Sequence, residues 1–258
     1  MSVFRNQPLF VLLFGMMSLL MYVPVLFSVR LDQWLYARTF FYHGTFFLII
    51  SVLLGIAFSS QKLQKKIVQN IFDLFCCFVF LPIFMAIPLN YLIINIDFFD
   101  AYFEMLSSFT TTGASIFDDS TKIPDVLHLW RALIAWVGGL LMLVAALAIF
   151  QPAGLGGFDV YARKNNSSNL KNQIKSANIR SRIIKYTILI SPIYFVLTII
   201  MSILLILSGD RPLVAVIHAM STFSTSGISN VSGLQGANSG IIGELLIALF
   251  LIFAISRF

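Results

Sequence analysis

Two nine-residue stretches decide how this chain is read: Ser107-Ser108-Phe109-Thr110-Thr111-Thr112-Gly113-Ala114-Ser115 and Ser221-Thr222-Phe223-Ser224-Thr225-Ser226-Gly227-Ile228-Ser229. The second lies 114 residues after the first, and Ser, Phe, Thr, Gly and Ser match at alternate positions. Three of the remaining four pairs exchange Ser and Thr, which keeps the hydroxyl. Long apolar segments flank both runs. A hydroxyl-rich strand with a glycine, set between membrane spans, has the chemistry of a loop that replaces an ion's water shell with its own oxygens.

The surroundings support a lipid setting. Of 258 residues, 59% are hydrophobic and 11% charged, and the mean hydropathy is +0.91. A water-soluble domain could not hide that much apolar surface. The net charge of +6 does not indicate nucleic acid, because the basic residues cluster in short connections beside apolar spans and there act as topology signals. Cys76 and Cys77 are adjacent and have no metal-ligand spacing, so they read as packed small residues. The first apolar stretch, after Arg5, lacks a small-residue cleavage site and reads as a retained helix.

Six spans are predicted near 9–29, 40–58, 71–95, 128–150, 184–207 and 240–258. Basic residues concentrate in the N-terminal tail (Arg5), the second connection (Lys62, Lys65, Lys66) and the fourth (Arg163, Lys164, Lys171, Lys175, Arg180, Arg182, Lys185). The third, near 96–127, holds Lys122 against Asp97, Asp100, Glu104, Asp118, Asp119 and Asp125, and the fifth holds Arg211. Positive charge marks the cytoplasmic side, so the N-terminus is expected inside and both Ser/Thr/Gly runs outside. Arg30 and Arg38 in the first connection dissent.

Each run follows an apolar stretch too short to span: Phe98 to Phe109, and Pro212 to Phe223. Such helices reach only about half the membrane at about 1.5 Å per residue. The reading is a re-entrant half-helix whose C-terminal carbonyls, carrying roughly half a negative charge, face the membrane centre. Irregular backbone is tolerated there only if it lines a cavity or is buried in protein. Gly113 and Gly227 supply backbone angles that other residues resist. The expected fold is therefore an all-α membrane protein: two N-terminal helices over 1–70, a first span–half-helix–filter–span repeat over 71–150, a basic cytoplasmic loop over 151–183, and a second repeat over 184–258.

These residues resemble the Trk/Ktr/HKT superfamily of potassium transporters, above all its bacterial TrkH-type membrane subunit. The resemblance rests on Ser108-Phe109-Thr110-Thr111-Thr112-Gly113-Ala114 and His218-Ala219-Met220-Ser221-Thr222-Phe223-Ser224-Thr225-Ser226-Gly227. It rests also on Leu129-Trp130-Arg131-Ala132-Leu133-Ile134-Ala135-Trp136-Val137-Gly138-Gly139. It implies potassium uptake through a bacterial inner membrane, with the potassium ion as cargo and no cofactor, enzyme activity or nucleic-acid partner. The implied ion-contacting residues are Thr111, Thr112, Thr225 and Ser226, in a filter backbone completed by Thr110, Gly113, Ala114, Ser224, Gly227 and Ile228. Glycine at 113, where sodium-admitting relatives carry serine, implies potassium. The resemblance also implies lipid contact, a homodimer and a cytosolic nucleotide-binding TrkA-type partner.

The superfamily builds one pore from four such units, and these 258 residues hold two. The third and fourth units, with the interrupted gating helix and pore arginine, are missing. The expectation is a fragment of a longer transporter; the alternative is a truncated, non-conducting product or assembly partner. An enzyme is set aside, because no nucleophile, base or metal cluster is legible within the spans.

Other polar residues carry plainer readings. Glu104 and His218 occupy equivalent places in the two half-helices, and Glu104 is expected to tie its helix to neighbours. Arg131 is expected to anchor a helix end, paired with Asp118, Asp119 or Asp125. Asp73 and Glu244 fall near span ends. The N-x-Ser patterns at Asn165, Asn166 and Asn230 read as chance matches. Gly138-Gly139 and Gly154 to Gly157 read as sites of close approach or turning.

Overall fold

A computed structural model describes residues 7–58, 67–94, 96–117, 123–150 and 179–255. Arg5, Lys62, Lys65, Lys66, Asp118, Asp119, Lys122, Gly154 to Gly157, Asn165, Asn166, and the basic residues from Arg163 to Lys175 lie outside these residues. The secondary structure among the described residues is all helical. Helix α1 (Leu9–Leu20) and α2 (Tyr22–Arg30) form one span interrupted at Met21, followed by α3 (Trp34–Phe58) and α4 (Ile67–Leu92). The short α5 (Phe98–Phe109) precedes the first Ser/Thr/Gly run, and α6 (Asp125–Ala145) follows it, ending in a π turn at Ala146–Phe150. Helix α7 (Ile179–Leu207), the short α8 (Pro212–Ser224) and α9 (Gly240–Ile255) repeat the order.

Among the described residues, five segments are long and apolar enough to cross a membrane: Leu9–Arg30, Trp34–Phe58, Ile71–Leu92, Asp125–Ala148 and Arg182–Leu207. The sixth expected span corresponds to α9, whose 16 described residues are all apolar but for Gly240, Gly243 and Glu244. The break between α1 and α2 has a local cause. Pro24 lacks an N–H, and its ring crowds the carbonyl of Leu20, four residues back.

The first connection is tighter than its charges suggest. It is only residues 31–33, closed by Leu31 N–H to Ser28 O at 3.2 Å and Gln33 N–H to Ser28 O at 2.9 Å, with Asp32 at φ 55°. Arg38 therefore lies on α3, exposed, and not in a loop. Likewise α7 begins at Ile179, so Arg180, Arg182 and Lys185 sit on a helix and not in the basic loop. Arg182 donates from Nη2 to Leu147 O at 3.4 Å, tying the start of α7 to the end of α6.

Helix α6 is the centre of the molecule. It packs against α5, α7 and α8 and touches α2. It is buried on nearly every side, from Val126, Leu127 and His128 through Trp130, Ile134 and Gly139 to Ala145. A helix apolar or buried all round belongs in an interior. Trp130 is fully buried against Phe40 and donates from Nε1 to Met85 O at 3.3 Å, so the core joins α3, α4 and α6. By contrast α3, α7 and α9 turn large apolar side chains outward, among them Phe46, Leu53, Ile188, Phe195, Leu245 and Leu249. Those faces suit lipid.

Without a hydrophobic drive between helices in lipid, association rests on close packing and small residues. Gly138 and Gly139 show this. A Cβ on Gly138 would overlap the Phe109 carbonyl at the end of α5, and one on Gly139 would stand 2.9 Å from Ser224 Cα and 3.0 Å from Tyr194 Oη. The glycine pair lets α6 seat the C-terminal ends of both short helices at once. Gly138→Ala is expected to lower stability by about 1–3 kcal/mol, the usual effect of overpacking. Gly55→Ala, whose Cβ would meet only Gln7 at 3.8 Å or beyond, serves as control and keeps the wild-type midpoint. Thermal unfolding in detergent checks both; equal midpoints would refute the seating.

Candidate functional site: two glycine runs at the ends of the short helices

The two runs are built alike, bond by bond. Thr111 N–H donates to Ser108 O at 3.0 Å and Thr112 N–H to Ser107 O at 2.9 Å; Thr225 N–H donates to Thr222 O at 3.1 Å and Ser226 N–H to Ser221 O at 3.0 Å. Each short helix thus ends by curling its last turn back on itself. The next residues alternate in hand: φ is 58° at Thr111 and 73° at Gly113, 56° at Thr225 and 69° at Gly227. Thr in the left-handed region is unusual and held only when its surroundings fix it. Here the curled turn fixes it.

Hydroxyls pair with one another in both runs. Thr110 Oγ1 and Thr112 Oγ1 lie 2.8 Å apart, and Ser224 Oγ donates to Ser226 Oγ at 2.9 Å, at the same two positions. Thr110 Oγ1 also donates to Leu106 O at 2.8 Å, and Ser107 Oγ to Ala114 O at 2.6 Å. The hydroxyls of Thr110, Thr112, Ser224 and Ser226 are thus engaged with one another, and those of Ser107 and Thr110 with backbone carbonyls.

The runs touch. A Cβ on Gly113 would overlap the Ser226 carbonyl oxygen, so a glycine is required where the two backbones meet. Around Gly227 the space for a Cβ is open. Of the ten sequence-predicted residues, Thr112, Ala114, Thr225 and Gly227 are exposed, Thr110, Thr111 and Gly113 half-buried, and Ser224, Ser226 and Ile228 buried. The difference between runs follows from packing: Ile228 clusters with Ala132, Ala135 and Ile217, while the smaller Ala114 at its counterpart position is exposed.

Polar side chains hold the segments beyond the glycines. Glu104 Oε1 accepts from Ser115 Oγ and from the Ile116 N–H, both at 2.7 Å. Glu104 Oε2 meets Arg131 Nη2 at 2.7 Å, and both residues are buried. Arg131 Nη1 lies 3.5 Å from His128 Nδ1. At the same register of the second repeat, His218 Nε2 lies 2.9 Å from Ser229 Oγ. Arg131 therefore pairs with Glu104 and not with Asp125, because α5 packs against α6 along the face that carries Arg131. Asp125 instead accepts from Asn230 Nδ2 at 3.0 Å, so Asn230 is a structural link between the repeats. Asp210 accepts from both Ser239 N–H at 2.8 Å and Ser239 Oγ at 2.9 Å, fixing the start of α9 against the turn before α8. Sequence reasoning missed the Asp125–Asn230 link, because Asn230 reads as a chance N-x-Ser pattern and nothing in the chain points to Asp125 as its partner.

Among the described residues, no group of three or more His, Cys, Asp or Glu could hold a metal ion. Long apolar helices around two matching helix-and-loop elements define a multi-span membrane protein. The profile of the TrkH family, described as a cation transport protein, matches residues 39–255, and the chain belongs to that family. It is 29% identical over 164 residues to the Trk system potassium uptake protein TrkH of Vibrio parahaemolyticus serotype O3:K6, covering 64% of this chain and 33% of that protein. It is 28% identical over 158 residues to TrkH of Escherichia coli K12, covering 61% and 32%, and 29% identical over 157 residues to TrkG of the same strain, covering 61% and 31%. The crystal structure of the potassium transporter TrkH from Vibrio parahaemolyticus shares the fold, with a TM-score of 0.76 at 24% identity over 97% of this chain and 49% of that one. The chain thus spans about a third of the length of these curated relatives.

If Asp125 and Asn230 join the repeats, their alanine variants should not act independently. A double-mutant cycle in unfolding free energy is expected to give a coupling of roughly 1–2 kcal/mol. Strict additivity would contradict the link.

Proposed function

We propose that this chain forms half of a potassium-uptake pathway in which the two Ser/Thr/Gly runs are strands of a selectivity filter. The observation that carries the proposal is the meeting of two identically curled runs at Gly113 and Ser226, each at the C-terminal end of a short helix. The naming of the matched relatives as Trk system potassium uptake proteins supports potassium as the cargo.

A helix C-terminus carries roughly half a negative elementary charge, and two such ends converge here. Left- and right-handed residues in alternation turn successive carbonyls toward one side of a strand, where they can replace a cation's water. On this reading Thr111, Thr112, Thr225 and Ser226 meet the ion chiefly through backbone oxygens, since the hydroxyls of Thr112 and Ser226 are spent on Thr110, Ser224 and Ser221. Thr110, Gly113, Ala114, Ser224, Gly227 and Ile228 complete the filter backbone. Inward movement of one positive charge gains about 2.3 kcal/mol per 100 mV. Nothing in the pathway asks for a cofactor or a chemical step.

Two strands cannot surround an ion. The open space at Gly227 is where a further strand fits, supplied by the remainder of a longer polypeptide or by a second copy. The repeats are assigned to 71–150 and 184–258, after two N-terminal helices over 1–70 and with a basic cytoplasmic loop over 151–183. The runs open outward and the N-terminus lies in the cytoplasm, with a bacterial inner membrane as the setting. A homodimer resting on a cytosolic nucleotide-binding partner of the TrkA type completes the arrangement.

The two glycines should both be indispensable in the intact protein. Gly113→Ala meets a strained φ and the Ser226 carbonyl, and Gly227→Ala meets the same strain, about 1–2 kcal/mol, together with the further strand that fits beside it. Rubidium uptake into proteoliposomes of the intact protein is expected to fall at least about ten-fold in Gly113→Ala and in Gly227→Ala. Wild-type flux in both variants would refute the pathway.

A further inference from the structure

We infer that Glu104 is a specificity-determining positioning residue for the first run, acting from behind it through Ser115 and Ile116. The inference rests on the reading of the runs as ion-lining strands. A carboxylate in an apolar interior is costly unless paired, and a buried ion pair is seldom better for stability than a well-packed apolar one. The two oxygens of Glu104 divide the work. Oε2 is held at 2.7 Å by Arg131 of the central helix, and Oε1 takes both the Ser115 hydroxyl and the Ile116 N–H at 2.7 Å. Those residues stand two and three places beyond Gly113, so the carboxylate fixes where the strand leaves the filter.

Glu104 is completely buried and its charge is met by Arg131, so it does not draw cations to the mouth. Its action is geometric. The second run has its own pin in the same register, His218 on Ser229 at 2.9 Å. The residue there at the register of Arg131 is Leu245, exposed on α9, which offers no charge to pair. The first strand is thus clamped to α6 by charge and the second is held through an imidazole. The two strands are fixed by different chemistry, and the first depends on one carboxylate.

The test separates positioning from stability. In Glu104→Leu/Arg131→Met both charges go together, so no unpaired ion is left in the core. In Glu104→Gln/Arg131→Met the amide oxygen still accepts from Ser115 and Ile116. Flux of rubidium and of sodium is measured in proteoliposomes of the intact protein, with thermal midpoints alongside. The Leu variant is expected to lower the rubidium-to-sodium ratio about ten-fold, the effect of losing two hydrogen bonds to a charged acceptor on one strand. The Gln variant is expected to restore the ratio to within about two-fold of wild type. A wild-type ratio in the Leu variant, or an equal fall in the Gln variant, overturns the inference. Should the Leu variant not fold, Ser115→Ala at its exposed position replaces it: a several-fold fall in the ratio supports the inference and no change overturns it. Gly113→Val in the same assay distinguishes the layers. If it stops flux while the Leu variant keeps its ratio, only the role of Glu104 fails; if Gly113→Val leaves flux intact, the filter reading fails and this inference with it.

Discussion

Two neighbouring glycines on one helix set the distance between the two runs. Gly138 lies against the Phe109 carbonyl and Gly139 against Ser224, so α6 takes the last residue of each short helix into adjacent seats. That spacing brings Gly113 onto Ser226. It also leaves room beside Gly139 for the Tyr194 hydroxyl, which donates to Trp136 O at 3.2 Å. A side chain on either glycine would push one run away from the other. In lipid, where burying apolar surface between helices gains little over leaving it in hydrocarbon, such contacts decide how helices meet.

Charge is arranged around the same axis of packing. The short helices end together and bring partial negative charge to one place. The formal charges stand off from it. Glu104 and Arg131 neutralise each other behind the first run, and Asp125 is committed to Asn230 beyond the second. If the runs line a pathway, the oxygens that face an ion are dipoles and not carboxylates. That arrangement holds a monovalent cation loosely enough to let it move on, since conduction needs binding that is favourable but weak.

Much of this is legible in the residues. The nine-residue repeat locates both runs, and the lengths of Phe98–Phe109 and Pro212–Ser224 mark them as helices too short to cross. Gly138-Gly139 stands out as a point of close approach. What the residues hide is partnership. Arg131 has three nearby carboxylates in the chain at 118, 119 and 125, yet pairs with Glu104, because distance along the chain says little once α5 folds back onto α6. Asn230 has the look of a chance glycosylation pattern and is a cross-repeat link. Charge is also a poor marker of helix ends: Arg38 and Arg182 lie on helices, where long basic side chains can reach a polar boundary. The pairing of hydroxyls within each run is invisible in sequence, since Ser and Thr look alike whether they face an ion or each other.

The most direct measurement is the anomalous scattering of rubidium or thallium in crystals of the intact protein. A peak is expected beside the carbonyls of residues 111–113 and 225–227, on the side where Gly113 meets Ser226. Peaks confined to the acidic surface residues, with the two runs bare, would contradict a filter built from these strands.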